Sequence, residues 1–130
     1  MRKVRSSLNL NLDLSLPSSP IRPLLRKLIV RGLAAVDAGT AVSRAISRSG
    51  EELVIGRRRY DLRRYEHVVV VGAGKATASM AQAVEQRLGS RLHGGFVVVK
   101  HGHVVPTKRI VVAEAGHPVP DRSGLQAAAR

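Results

Sequence analysis

His67-Val68-Val69-Val70-Val71-Gly72-Ala73-Gly74-Lys75 is the stretch that decides the fold. A continuous β-branched run of this kind predicts a strand covered on both faces, as strands of parallel sheets are. Gly72-Ala73-Gly74 breaks it. From Lys75 to Leu88 the spacing predicts a helix, with Ala76, Met80, Ala83, Val84 and Leu88 on one face and Gly89 past its end. Gly94-Gly95 then lead into a second buried run, Phe96-Val97-Val98-Val99. Strand, glycine turn, helix, strand is a βαβ unit with parallel strands and a right-handed crossover. A third run, Ile110-Val111-Val112-Ala113, precedes a proline-stiffened loop from Gly116 to Pro120, and Asp121 or Ser123 is placed to cap a last helix. The fold class is therefore α/β: a Rossmann-like, open, mostly parallel sheet with flanking helices. It looks truncated, because the last helix meets Arg130 without a terminator.

Upstream the pattern changes. Leu24, Leu25, Leu28, Ile29, Leu33 and Val36 recur at three- and four-residue spacing, which predicts an amphipathic helix over residues 21–38. A second short helix from Thr40 to about Ser47, a turn at Ser49-Gly50 and a short strand over Leu53–Ile55 follow. An arginine run comes next: Arg57, Arg58, Arg59, Arg63 and Arg64. Residues 1–20 start with a basic stretch from Met1 to Arg5, alternate leucine with Asn, Asp and Ser from Leu8 to Leu16 and close on Pro17 and Pro20, so they read as a disordered leader. The two domain segments expected are thus 1–20 and 21–130.

Composition sets the outer limits. At 130 residues with 44% apolar content, one compact domain with a real core is expected. The absence of cysteine excludes disulfides, thiolate metal sites and a cysteine nucleophile. No uncharged apolar run approaches the roughly 18 residues of a membrane span. No secretory signal is indicated, and cytoplasm is the default compartment. The net charge of +13 is spread along the chain, with 14 basic and 6 acidic groups in residues 1–66 and 8 and 3 in residues 67–130. Such charge suits anionic partners. At 2% aromatic content there is almost no platform for stacking unpaired bases, so nucleic acid is not the favoured partner and a solvated basic surface is the simpler reading.

Three loops carry the chemistry. Gly72-Ala73-Gly74-Lys75 follows a parallel strand, where open α/β sheets bind ligands. Glycines admit an anion close to the backbone, the helix start offers free N–H groups, and Lys75 adds a full charge. The loop is neither of the standard phosphate motifs: a Walker A loop needs glycine where Val69 stands, and the dinucleotide fingerprint needs it at Thr77. The fingerprint's acidic partner about twenty residues on is also missing, which argues against an oxidoreductase. Lys100-His101-Gly102-His103 follows the second strand and should share an edge with Lys75. Its two histidines lack a third ligand at a metal-binding spacing, so no metal site is assigned. Glu114-Ala115-Gly116-His117-Pro118-Val119-Pro120-Asp121 follows the third strand. His117 is its best functional candidate, with Glu114 readable as an ordinary ion-pair partner. From the residues alone, the three loops describe a module that binds a small anionic metabolite.

Val-Val-Gly-Ala-Gly-Lys-Ala at 70–76, Gly-Gly-Phe-Val-Val-Val-Lys-His-Gly-His at 94–103 and Glu-Ala-Gly-His-Pro-Val-Pro-Asp at 114–121 resemble the N-terminal part of the MOFRL-type glycerate kinases. The resemblance runs over roughly residues 24–130 and departs from the family at His101, where a tyrosine is usual. It implies an enzyme that moves the γ-phosphoryl of ATP to the 2-hydroxyl of D-glycerate with Mg²⁺. It places the catalytic lysine on Lys75 and substrate-binding positions on Gly72, Gly74, Lys100, His103 and His117. It also implies that the glycine- and serine-rich phosphate loop, a catalytic arginine and the C-terminal MOFRL domain lie beyond Arg130. By that reading the 130-residue chain is a fragment, inactive alone. A basic protein binding nucleic acid or acidic partners is the rival from another class, and a hydroxypyruvate reductase-type oxidoreductase the third.

Overall fold

The computed structural model describes residues 20–130, so the leader expected over residues 1–20 lies almost wholly outside it. The chain divides into two compact units, one ending at Asp37 and the other running from Ala38 to Arg130. The first contains helix α1, Arg22–Ala35, which opens with a proline in its first turn and buries none of its residues. A proline there costs no hydrogen bond, because the first-turn N–H groups have no helical acceptor.

The second unit starts with helix α2, Ala38–Ala45, and an antiparallel meander of β1 (Ile46–Ser49), β2 (Glu52–Ile55) and β3 (Arg58–Asp61). Both hairpins turn on two residues, and each puts a glycine first, Gly50 at φ 58° and Gly56 at φ 60°. The sequence expectation was different here. It carried the second helix to Ser47 and saw one strand where three form. The arginine run concealed β3, whose inward residue, Tyr60, pairs with buried Leu53. Period-two alternation is hard to see when three consecutive arginines, Arg57 to Arg59, fill the end of the turn and the first half of the strand.

The remainder is the parallel sheet: β4 (Val69–Ala73), β5 (Gly94–Lys100) and β6 (Ile110–Ala115), ordered as in the sequence. Helix α3, Thr77–Leu88, crosses from β4 to β5 and ends at Gly89 with φ 55°. Helix α4, Arg122–Ala128, follows β6 and packs on it. Asp121 caps α4, its carboxylate accepting from the Gly124 amide at 2.9 Å, as one of the two candidate caps should. No helix lies between β5 and β6. Residues 101–109 make that connection, and Glu85 of α3 grips it by accepting from the amides of Lys108 at 2.8 Å and Arg109 at 2.5 Å.

One sheet face carries Val70, Val97, Val99, Ile110 and Val112 and packs with α3. Leu53, Leu62, Ala81, Leu88 and Leu92 complete this core, with Leu92 and Val97 fully buried. The buried residues of the helix are Ala78, Ala81, Ala83 and Leu88, of which Ala81 and Leu88 join the sheet-side core, whereas Met80 is 41% exposed and Ala76 precedes the helix. Small residues on the helix allow it to approach the valine-covered sheet closely. The opposite sheet face departs from the expectation of a doubly covered strand. Val69, Val71 and Val111 are 63%, 80% and 54% exposed there. β4 has a paired neighbour on one side only, and the α3-facing side is where its apolar residues are buried. Among the described residues no helix is long and apolar enough to cross a membrane.

Truncating Leu92 to alanine is expected to cost about 2–5 kcal/mol, because its site is closed on every side and leaves a cavity. The same change at exposed Val71 should cost well under 1 kcal/mol. Urea unfolding of both variants checks the ranking. Equal losses would place the core elsewhere.

Candidate functional site

The parallel register fixes where the three loops go. Ala73 lies level with Val98, and Val99 and Lys100 lie level with Glu114 and Ala115. The loops that follow β4, β5 and β6 therefore leave from one edge of the sheet, the carboxyl edge. All five chemistry-bearing loop residues named from sequence, Lys75, Lys100, His103, His117 and Glu114, belong to that edge.

Each loop is held by its backbone. In the first, the Gly74 amide donates to the Val98 carbonyl at 3.0 Å and the Thr77 amide to the Gly74 carbonyl at 3.1 Å. Gly74 sits at φ 133°, a region that disfavours any side chain. A Cβ on Gly72 would come within 3.0 Å of the Thr77 methyl, so that methyl covers the turn where a dinucleotide fingerprint would have its third glycine. Lys75 is exposed between β4 and α3. In the second loop the His103 amide donates to the Lys100 carbonyl at 3.1 Å around Gly102, whose φ is 76°. Lys100 is half-buried at the strand end, and His103 is exposed. In the third, His117 is exposed and its peptide bond to Pro118 is cis.

The second and third loops are also tied to each other, by residues to which the sequence reading gives other roles. The His101 amide donates to the Ala115 carbonyl at 3.1 Å. The Glu114 carboxylate accepts from the Gly102 amide at 2.6 Å, so Glu114 braces a loop and is no surface ion-pair partner. The His101 ring nitrogen Nε2 meets Asp121 Oδ2 at 2.7 Å. Asp121 had a signal only as a helix cap, and His101 only as one of a histidine pair. Their encounter depends on the register between β5 and β6, which no local pattern encodes. The Asp121 carboxyl is held down to about 2, first by the His101 bond and then by the amides of Gly116 and Gly124.

The arginine run belongs to none of these loops: it spans the turn before β3, β3 itself and the 3-10 turn at Leu62–Arg64. Arg59 pairs with Glu52 at 2.9 Å and Arg63 with Asp61 at 2.8 Å, so part of its charge is already answered. Among the described residues no group of three His, Asp or Glu side chains could hold a metal ion.

Comparison with known proteins places this edge in context. Residues 24–130 match the model of a domain of unknown function, DUF4147. The chain belongs to this family, the N-terminal domain of the MOFRL-family glycerate kinases. A glycerate 2-kinase of Pyrococcus horikoshii is 32% identical over 105 residues, 81% of this chain and 23% of the relative. A protein of Agrobacterium vitis provisionally named hydroxypyruvate reductase is 52% identical over 60 residues, 46% of this chain and 14% of the relative. Among solved structures, a Pyrococcus horikoshii OT3 protein superposes with a TM-score of 0.69 at 31% identity, covering 88% of this chain and 25% of that one. The chain thus spans about a quarter or less of the length of these proteins. The fold expected from sequence, α/β with a parallel sheet and flanking helices, is that of the DUF4147 domain.

Because folding lowers the Asp121 pKa below its unfolded value near 3.9, the carboxylate adds stability above about pH 4. That contribution is lost as pH falls from there towards 2. Asp121→Asn is expected to lower stability at neutral pH and to flatten the loss between about pH 4 and pH 2. Circular dichroism across an acid titration checks it. Parallel curves for the two proteins would remove Asp121 from the acid response.

Proposed function

We propose that this chain supplies the substrate-holding edge of a glycerate kinase, in which the γ-phosphoryl of ATP passes to the 2-hydroxyl of D-glycerate. The observation that carries the reading is the convergence of three family-matched loops, with Lys75, Lys100, His103 and His117, on the carboxyl edge of one parallel sheet. An edge of that kind, lined by cations and open backbone, suits a small carboxylate. Named glycerate kinases among the relatives point to which carboxylate.

Lys75 has the most direct role. Its ammonium is exposed beside the glycine turn and donates up to three hydrogen bonds. It holds the substrate carboxylate, or the transferring phosphoryl as charge builds on it. Gly72 and Gly74 keep the backbone low enough for the substrate to approach. Lys100, His103 and His117 line the other two loops. Mg²⁺ would neutralise phosphate charge when bound. The described residues do not assemble a ligand set for it, so no step here passes through it. ATP likewise draws on groups outside this set. Cytoplasmic residence fits a soluble metabolic enzyme of this kind.

Titration calorimetry of the chain with D-glycerate tests the assignment. Lys75→Ala is expected to weaken binding by about ten- to a hundredfold, the worth of a charge-assisted hydrogen bond. Unchanged affinity in that variant would move the carboxylate away from the glycine turn. A steep salt dependence of DNA binding, with no glycerate binding, would favour a basic protein of another class.

A further inference from the structure

The hydrogen-bonding inventory of the three loops is lopsided. Lys75 and Lys100 can only donate. The two carboxylates are drawn into the protein: Glu114 Oε1 takes the Gly102 amide, and Asp121 takes the His101 ring and the Gly124 amide. A hydroxy acid, however, presents hydroxyl protons as well as a carboxylate, and these need an acceptor. The loops contain three imidazoles, of which His103 and His117 are exposed.

His101 differs from both because its ring is fixed. An ionised carboxylate has no proton to offer, so the nitrogen 2.7 Å from Asp121 Oδ2 must carry one. In the neutral ring Nε2 is then the donor, and Nδ1 bears the lone pair. The ring's backbone is anchored too, through the His101 amide on the Ala115 carbonyl. The side chain is 52% exposed, and no protein partner of Nδ1 is found among the described residues. A neutral imidazole oriented through one nitrogen by a carboxylate presents the other as a directed acceptor.

We propose that His101 is a specificity-determining residue, whose Nδ1 accepts a hydrogen bond from a hydroxyl of the bound hydroxy acid while Asp121 holds the ring. The inference rests on the D-glycerate reading above and adds the group that tells a hydroxy acid from a plain carboxylate. Lys75 grips the carboxylate common to both, and His101 contacts what only the hydroxy acid has. Asp121 is the positioning residue.

Two measurements on the full chain test this. Nitrogen-15 imidazole spectra should show His101 as the Nε2–H tautomer, and its Nδ1 resonance should shift on adding D-glycerate but not on adding propionate. Calorimetry should show D-glycerate binding about five- to tenfold more tightly than propionate, as expected of one neutral hydrogen bond. His101→Ala should erase that ratio and leave propionate affinity as it was. Equal weakening of both ligands would make His101 a structural latch and overturn the proposal. So would an unchanged ratio, or an Nδ1–H tautomer. If Lys75→Ala affects neither ligand, or neither binds the wild-type chain, the D-glycerate reading itself fails. A loss of the ratio's dependence on His101 with Lys75 still required would instead fail this inference alone.

Discussion

Strand β5 is the constraint on which the rest of the second unit depends. It hydrogen-bonds to β4 on one side and β6 on the other, so its register sets both. Val97 and Val99 on its inner face are buried with α3, and no slip by one residue is tolerated, since that would turn them to the open face. Gly95 shows how tight the fit is. A Cβ there would run into the Val70 carbonyl and stand 3.2 Å from the Ile110 side chain, so the neighbouring strands close on a position where only glycine fits. Burial of the valines thus determines where Lys100 emerges, and the level pairing of Val99 with Glu114 determines what emerges beside it.

The parallel part of the architecture was legible in the sequence because each of its elements has a local signature. The valine runs, the glycine turn and the Gly89 helix end are each decided within a few residues. Cap Asp121 was visible for the same reason. What escaped notice was non-local or disguised. The arginines of β3 mask a strand whose inward contribution is Tyr60 alone among its first three residues. Ala76 and Met80 fit a helical stripe, yet the helix starts at Thr77 and turns Ala78 and Ala81 inward, because a sheet of β-branched side chains accepts the smallest residues most closely. The double coverage expected of β4 fails since hydrophobic continuity along a strand does not say how many layers pack on it.

The same distinction separates the visible from the invisible parts of the site. Lys75, Lys100, His103 and His117 could be named because lysine, histidine and glycine at strand ends are conspicuous in one dimension. Their shared edge follows from parallel order. The braces between the loops, Glu114 on Gly102 and Asp121 on His101, join positions 12 and 20 residues apart and exist only once β6 is laid beside β5.

Those braces have an electrostatic consequence. Each one commits a carboxylate oxygen to a donor within the protein, which fixes where that negative charge sits. Asp121 shows the effect most clearly, since its charge is stabilised by an imidazole and two amides and its pKa falls to about 2. The second and third loops are thereby tied to each other through the negative groups. On the meander Glu52 and Asp61 are spent instead on Arg59 and Arg63. A chain with a net charge of +13 would attract anions over much of its surface, but attraction alone gives no discrimination. Discrimination needs groups at fixed places, and in the second and third loops the internal use of Glu114 and Asp121 fixes the backbone that carries them.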